Sequence, residues 1–100
     1  MREEYFSEVL TIYLDQNFTF KEYEEFKKIM NKIVYSKVKV IVLDMRETTH
    51  IDSSALGSLI LLHEMCDSVK PPIKVMISNT NRSVLSILNI ANFNKLFEIT

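Results

Sequence analysis

Asp52-Ser53-Ser54, with His50 just upstream, is the densest group of reactive side chains in the sequence. Two hydroxyls beside a carboxylate at the start of an apolar, proline-free stretch suggest two uses. Asp52 or Ser53 can cap a helix, because a short side-chain oxygen accepts a bond from a backbone N–H left unpaired in the first turn. Ser53 or Ser54 can also accept a phosphoryl group, since a helix N-terminus carries free N–H donors and partial positive charge. Such a phosphate adds about −1.5 to −2 charges to the surrounding surface. A hydrolase triad from His50, Asp52 and Ser53 is not expected. Three near-adjacent residues seldom place an imidazole between serine and carboxylate, and there is no G-x-S-x-G elbow.

The elements around this group are readable. Val38-Lys39-Val40-Ile41-Val42-Leu43 is a continuous β-branched and aliphatic run, which predicts a strand covered on both faces. Asp44 ends that strand, and Arg46-Glu47-Thr48-Thr49-His50 makes a polar turn before Ile51. From Ala55 onward, apolar residues at 56, 59, 60, 62, 65, 66 and 69, with Leu61 beside them, predict a deeply buried helix. The exposed surface near Ser53 is then Thr48, Thr49, His50 and the helix start, at one edge of the domain beside the Asp15-Gln16-Asn17 turn.

Residues 5 to 14 alternate in part and predict one or two strands. Thr19 and Glu22 have capping-box spacing ahead of a helix over roughly 20 to 35, with Phe26, Ile29, Met30, Ile33 and Val34 on its apolar face. Lys21, Glu24, Glu25, Lys27, Lys28 and Lys32 form its solvated face. Lys70-Pro71-Pro72 breaks the chain, Ile73 to Ile77 is a strand, and Ser78-Asn79-Thr80-Asn81 caps a helix from Arg82 to Ile90. That helix presents Val84, Leu85, Ile87, Leu88 and Ile90, and Leu96 to Ile99 closes as a strand. Alternating strands and helices imply an α/β layer fold with a largely parallel sheet and right-handed crossovers.

Composition narrows the function classes. The chain has 100 residues, 47% hydrophobic and 25% charged, as in one ordinary globular domain. A net charge of −1 gives no basic stripe for nucleic acid. A single glycine, Gly57, excludes both a P-loop and a G-x-G-x-x-G cradle, so any ATP used here must be bound by a partner. The single cysteine, Cys66, cannot form an internal disulfide and reads as a small buried hydrophobe on the helix. His50, His63 and Cys66 lack zinc-site spacing, and His63 reads as a packed histidine. No apolar run reaches membrane-span length, and Met1-Arg2-Glu3-Glu4 does not open a secretory signal, so a cytoplasmic protein without membrane contact is expected.

The segment Ile51-Asp52-Ser53-Ser54-Ala55-Leu56-Gly57, preceded by Val40-Ile41-Val42-Leu43-Asp44, resembles the phosphorylation loop of STAS domains, the anti-sigma-factor antagonists of bacterial partner switching. Residues 85 to 99 resemble the closing helix and strand of that family, so the likeness spans about Val9 to Ile99. It implies a single STAS domain over residues 1–100, with a mixed β-sheet and helices packed mainly on one face. The family's usual form is Asp-Ser-Ser/Thr-Gly-Leu-Gly, which makes Ser53 the phosphoacceptor; Ala55 departs from it where glycine is usual. The resemblance further implies an anti-sigma-type serine kinase and a PP2C-type phosphatase as partners, and a chain with no cofactor and no catalysis of its own. Asp52 would orient beside the switch, with Thr49, His50, Ser54, Leu56 and Gly57 shaping the docking edge. Two alternatives stay open: a non-phosphorylated scaffold or ligand-sensing module, and a receiver-like phosphoacceptor at Asp44. The second lacks the acidic pair that should follow the first strand, where Leu14-Asp15-Gln16-Asn17 offers one acid.

Overall fold

The computed structural model describes residues 1–100. Strands β1 (Arg2–Phe6) and β2 (Val9–Tyr13) form an antiparallel hairpin, turned through Ser7 at φ 57°. After β3 (Asn17–Phe18), a 3-10 turn over Phe20–Glu22 feeds α1 (Tyr23–Lys32). There follow β4 (Val40–Asp44), β5 (His50–Ile51), α2 (Ser53–Asp67), β6 (Lys74–Ser78), α3 (Arg82–Ile90) and β7 (Glu98–Ile99). The main sheet runs β1-β2-β4-β6-β7, parallel except for the first pair, and β3 and β5 make a second, two-stranded parallel sheet.

The strand order advances in one direction from β2 to β7. Right-handed crossovers therefore place α1, α2 and α3 on the same face of the sheet. Leu10 and Ile12 of β2, Ile41 and Leu43 of β4, and Val75 and Ile77 of β6 point to that face and are buried. They meet Phe26, Ile29 and Met30 of α1, Leu59, Leu62 and Cys66 of α2, and Val84 and Leu88 of α3 in one core. Burying each large apolar side chain there is worth about 1.5–3 kcal/mol. Phe18 and Phe26, both fully buried, meet edge to face with ring centres 5.1 Å apart.

The expected mixed sheet with one helical face is present, but β4 is not covered on both sides. Val9, Thr11, Tyr13, Val40, Val42 and Met76 share the opposite face and are only half-buried, with no helix above them. The helical stripes are also narrower than their sequences predict. In α2 the buried line is Ala55, Ser58, Leu59, Leu62 and Cys66, while Ile60 and Leu61 face outward. α1 ends at Lys32 because Ile33 turns to an extended conformation, and Val34 is left exposed. In α3, Ile87 and Ile90 point away from the core; Ile90 is 80% exposed. The Thr19–Glu22 capping box forms, with Glu22 accepting from the Thr19 N–H at 2.9 Å and from its hydroxyl at 2.8 Å. No helix is long and apolar enough to cross a membrane.

Candidate functional site

The site begins where β4 runs out. Asp44, 5% exposed, accepts the backbone N–H of Arg46 at 3.0 Å, its Nη2 at 2.8 Å and Asn79 Nδ2 at 3.0 Å. Burial alone would raise the Asp44 carboxyl, but these donors and the guanidinium charge outweigh it and hold the group below the usual carboxylate range. Both Asp44 oxygens are engaged, Oδ1 by Arg46 and Oδ2 by Arg46 and by Asn79 from beyond β6. No three His, Cys, Asp or Glu side chains converge to hold a metal ion. A receiver-like acceptor needs the reverse, a carboxylate oxygen free beside a metal-binding acidic pair.

Beyond Asp44 the loop is pinned from two sides. Met45 donates its N–H to the Ser78 carbonyl at 2.9 Å, and Thr49 and His50 donate theirs to the Gln16 carbonyl at 2.8 and 3.2 Å. Thr48 lies beneath the edge rather than on it. It is fully buried, donates its hydroxyl to the Asp15 carbonyl at 2.8 Å, and offers its own carbonyl to Asn81 Nδ2 at 2.9 Å. β3 and β5 then pair Asn17 with His50 and Phe18 with Ile51, which brings the Asp15-Gln16-Asn17 turn against the loop. Thr49 and His50 are exposed on this edge, with Thr49 Oγ1 and His50 Nδ1 2.9 Å apart.

Asp52, not Ser53, is the N-cap of α2. Its Oδ1 accepts the Ala55 N–H at 3.0 Å, its carbonyl accepts that of Leu56 at 3.1 Å, and its Oδ2 accepts the Phe20 N–H at 3.0 Å. Ser53 is the first helical residue, exposed, and its hydroxyl bonds neither Asp52 nor His50. No triad geometry exists. With Asp52 serving Ala55, the N–H groups of Ser53 and Ser54 stay free at the positive end of the helix dipole, where a phosphate would be stabilised.

Of the expected docking residues, Thr49, His50, Ser54 and Gly57 are exposed and Asp52 is half-buried, all along this edge. Leu56 is half-buried and packs against the core. Cys66 is buried, and burial pushes its thiol up to about 11. His63 stacks edge to face on Phe97, with ring centres 5.4 Å apart.

The structure adds residues that local sequence does not point to. Phe20, from the turn before α1, and Tyr23, the first residue of α1, meet Ser54, Gly57, Ser58 and Leu61 of α2 around a recess of about 340 Å³. The available signal is the single glycine inside the N-terminal half of α2. Such a glycine costs about 1 kcal/mol relative to alanine.

A bidentate-paired aspartate at a strand end, a pinned loop and a capped helix with a free serine at its first position, on a one-faced mixed sheet, define a STAS fold. The STAS domain model matches residues 4–100, and the chain belongs to that family. A STAS-domain-containing protein of Pseudomonas aeruginosa (strain UCBPP-PA14) is 33% identical over 91 residues, covering 91% of this chain and 87% of the relative. Among solved structures, the Bacillus anti-sigma factor antagonist SpoIIAA in its unphosphorylated form overlays at TM-score 0.76 with 17% identity. That overlay covers 99% of this chain and 86% of SpoIIAA. A sulfate transporter family protein from Wolinella succinogenes overlays at TM-score 0.75 with 23% identity, covering 87% of this chain and 69% of that protein.

Proposed function

We propose that the protein is a phosphorylation-controlled anti-sigma-factor antagonist that catalyses nothing itself. Unphosphorylated, it binds an anti-sigma-type serine kinase; phosphorylated on Ser53, it lets go, and a PP2C-type phosphatase restores it. The observation that carries this reading is the division of labour at the start of α2. Asp52 does the capping, so Ser53 has no structural duty for its hydroxyl, yet it is exposed at a pre-formed phosphate position. The likeness to SpoIIAA supports the same reading.

Thr49, His50, Asp52, Ser54, Leu56 and Gly57 form the docking edge around Ser53. A phosphate there places about −1.5 to −2 charges beside the Asp52 carboxylate and at the centre of the contact, which drives the partner off by desolvation and like-charge repulsion. The kinase supplies the ATP site, in keeping with the lack of a phosphate-binding glycine loop here. The pair acts in the cytoplasm, on a protein target rather than on nucleic acid.

A second reading, a STAS scaffold or ligand-sensing module without phosphorylation, is favoured by the overlay on the sulfate transporter family protein. Binding of the host's purified anti-sigma-type serine kinases to wild type, Ser53→Ala and Ser53→Asp separates the two. The switch predicts that Ser53→Ala binds and Ser53→Asp does not. A scaffold ignores both changes.

A further inference from the structure

Gly57 has no reason within its own chain to be glycine. It is exposed, sits inside α2 with ordinary helical φ, and a Cβ built on it meets no atom within 4 Å. Glycine at such a helix position is less stable than alanine. The bare backbone leaves α2 open to close approach from outside the chain. Gly57 floors the recess that Phe20, Tyr23 and Leu61 wall with apolar surface, and Phe20 at its rim is 64% exposed. The one buried hydroxyl in the lining, Ser58, is turned inward and donates to the Ser54 carbonyl at 3.0 Å, so it offers no hydrogen to an occupant.

We infer that this recess receives one apolar side chain of the protein partner that docks over Ser53, with the partner's backbone lying against Gly57. The inference rests on the partner-switch reading of Ser53 and adds the anchor of that contact. Three features select this occupant. The recess is shallow and open, whereas a free small ligand is held in a site that buries most of its surface. Its walls are aromatic and aliphatic, the setting of an interface anchor. It is also continuous with the switch, because Ser54 lies in its lining and Asp52 holds the Phe20 turn by a 3.0 Å bond. A phosphate on Ser53 is attached one residue from the Ser54 lining, where its hydration would oppose the stripping of water that an apolar side chain needs.

The test has two arms. In thermal unfolding of the isolated protein, Gly57→Ala raises Tm by about 4–8 °C. An unchanged or lowered Tm would show that the glycine serves its own fold and would overturn the inference. In the second arm, the host's purified anti-sigma-type serine kinases are titrated with wild type, Gly57→Leu, Phe20→Ala, Ser53→Ala and Ser53→Asp, each checked for an intact Tm. Gly57→Leu fills the recess and Phe20→Ala removes a wall, so each weakens binding by about tenfold or more while Ser53→Ala still binds. If both recess variants bind like wild type while Ser53→Asp does not, the switch stands and the recess is not its anchor. If wild type binds none of these kinases, both readings fall together. Sedimentation completes the set: a wild-type dimer that Gly57→Leu converts to monomer would make a second copy the occupant and overturn the separate partner.

Discussion

Asp52 Oδ2 accepts the backbone N–H of Phe20 at 3.0 Å while Oδ1 caps α2 through Ala55. One carboxylate thereby ties the start of α2 to the turn before α1, across 32 residues of sequence. Both acceptors belong to one carboxylate, and a bond to such a group is stronger than a neutral one.

Replacing this carboxylate separates its two duties. Asp52→Ala loses cap and tie together and lowers stability by about 1–3 kcal/mol. Asp52→Asn keeps a capping oxygen but can turn an amide donor toward the Phe20 N–H, so its loss falls between wild type and alanine. Urea unfolding of the three proteins measures this. Equal stability of all three would mean that the contact holds nothing.

The pairing of Asp44 has a pH signature. Its carboxyl is held below the ordinary value by Arg46 and Asn79 in spite of burial. A lowered folded pKa stabilises the protein above the unfolded pKa, near about 4, and that contribution fades as pH falls through the folded value. Asp44→Asn is therefore less stable than wild type by about 1–3 kcal/mol near neutral pH. The gap narrows in acid. Denaturant midpoints measured across the acid range follow the difference; a gap that stays constant contradicts the assignment.

Cys66 should be silent. It is 1% exposed, and burial pushes its thiol to about 11, so little thiolate forms near neutral pH. A thiol-reactive chromophore at mildly alkaline pH should leave the native protein unlabelled and label it fully in denaturant. Rapid labelling of the native state would show that α2 opens far more readily than its packing implies.

How much of this was legible in the sequence follows from range. The cap and the alternation of the longer strands and helices are local patterns that the sequence shows to within a few residues, whereas the short β3–β5 pairing and the burial of Thr48 depend on contacts about 33 residues apart. The Arg2-Glu3-Glu4 start of β1 lies outside the strand that residues 5 to 14 predict, because its charges hide a strand at the sheet edge, where charged residues guard unpaired backbone. The double coverage expected of β4 failed for another reason. Val40 and Val42 suit a half-covered face as well as a buried one, and only strand order decides between them.

In α2, Ile60 and Leu61 are as apolar as Leu59 and Leu62, so the sequence overstates the buried stripe. Thr48 reads as a polar loop residue, but its partners, the Asp15 carbonyl and Asn81, lie 33 residues away on either side. The same distance hid Phe20 and Tyr23, which reach Ser54 and Gly57 only through the packing of α1 beside α2.

The central claim is a phosphate on one hydroxyl. Its most direct test is the intact mass of the protein isolated from its own host, before and after phosphatase treatment, with fragmentation to locate the modified residue. The account predicts a fraction heavier by one phosphoryl group, lost on phosphatase treatment and mapped to Ser53. Unmodified protein under every growth condition, or a phosphate mapped elsewhere with Ser53 bare, would contradict it.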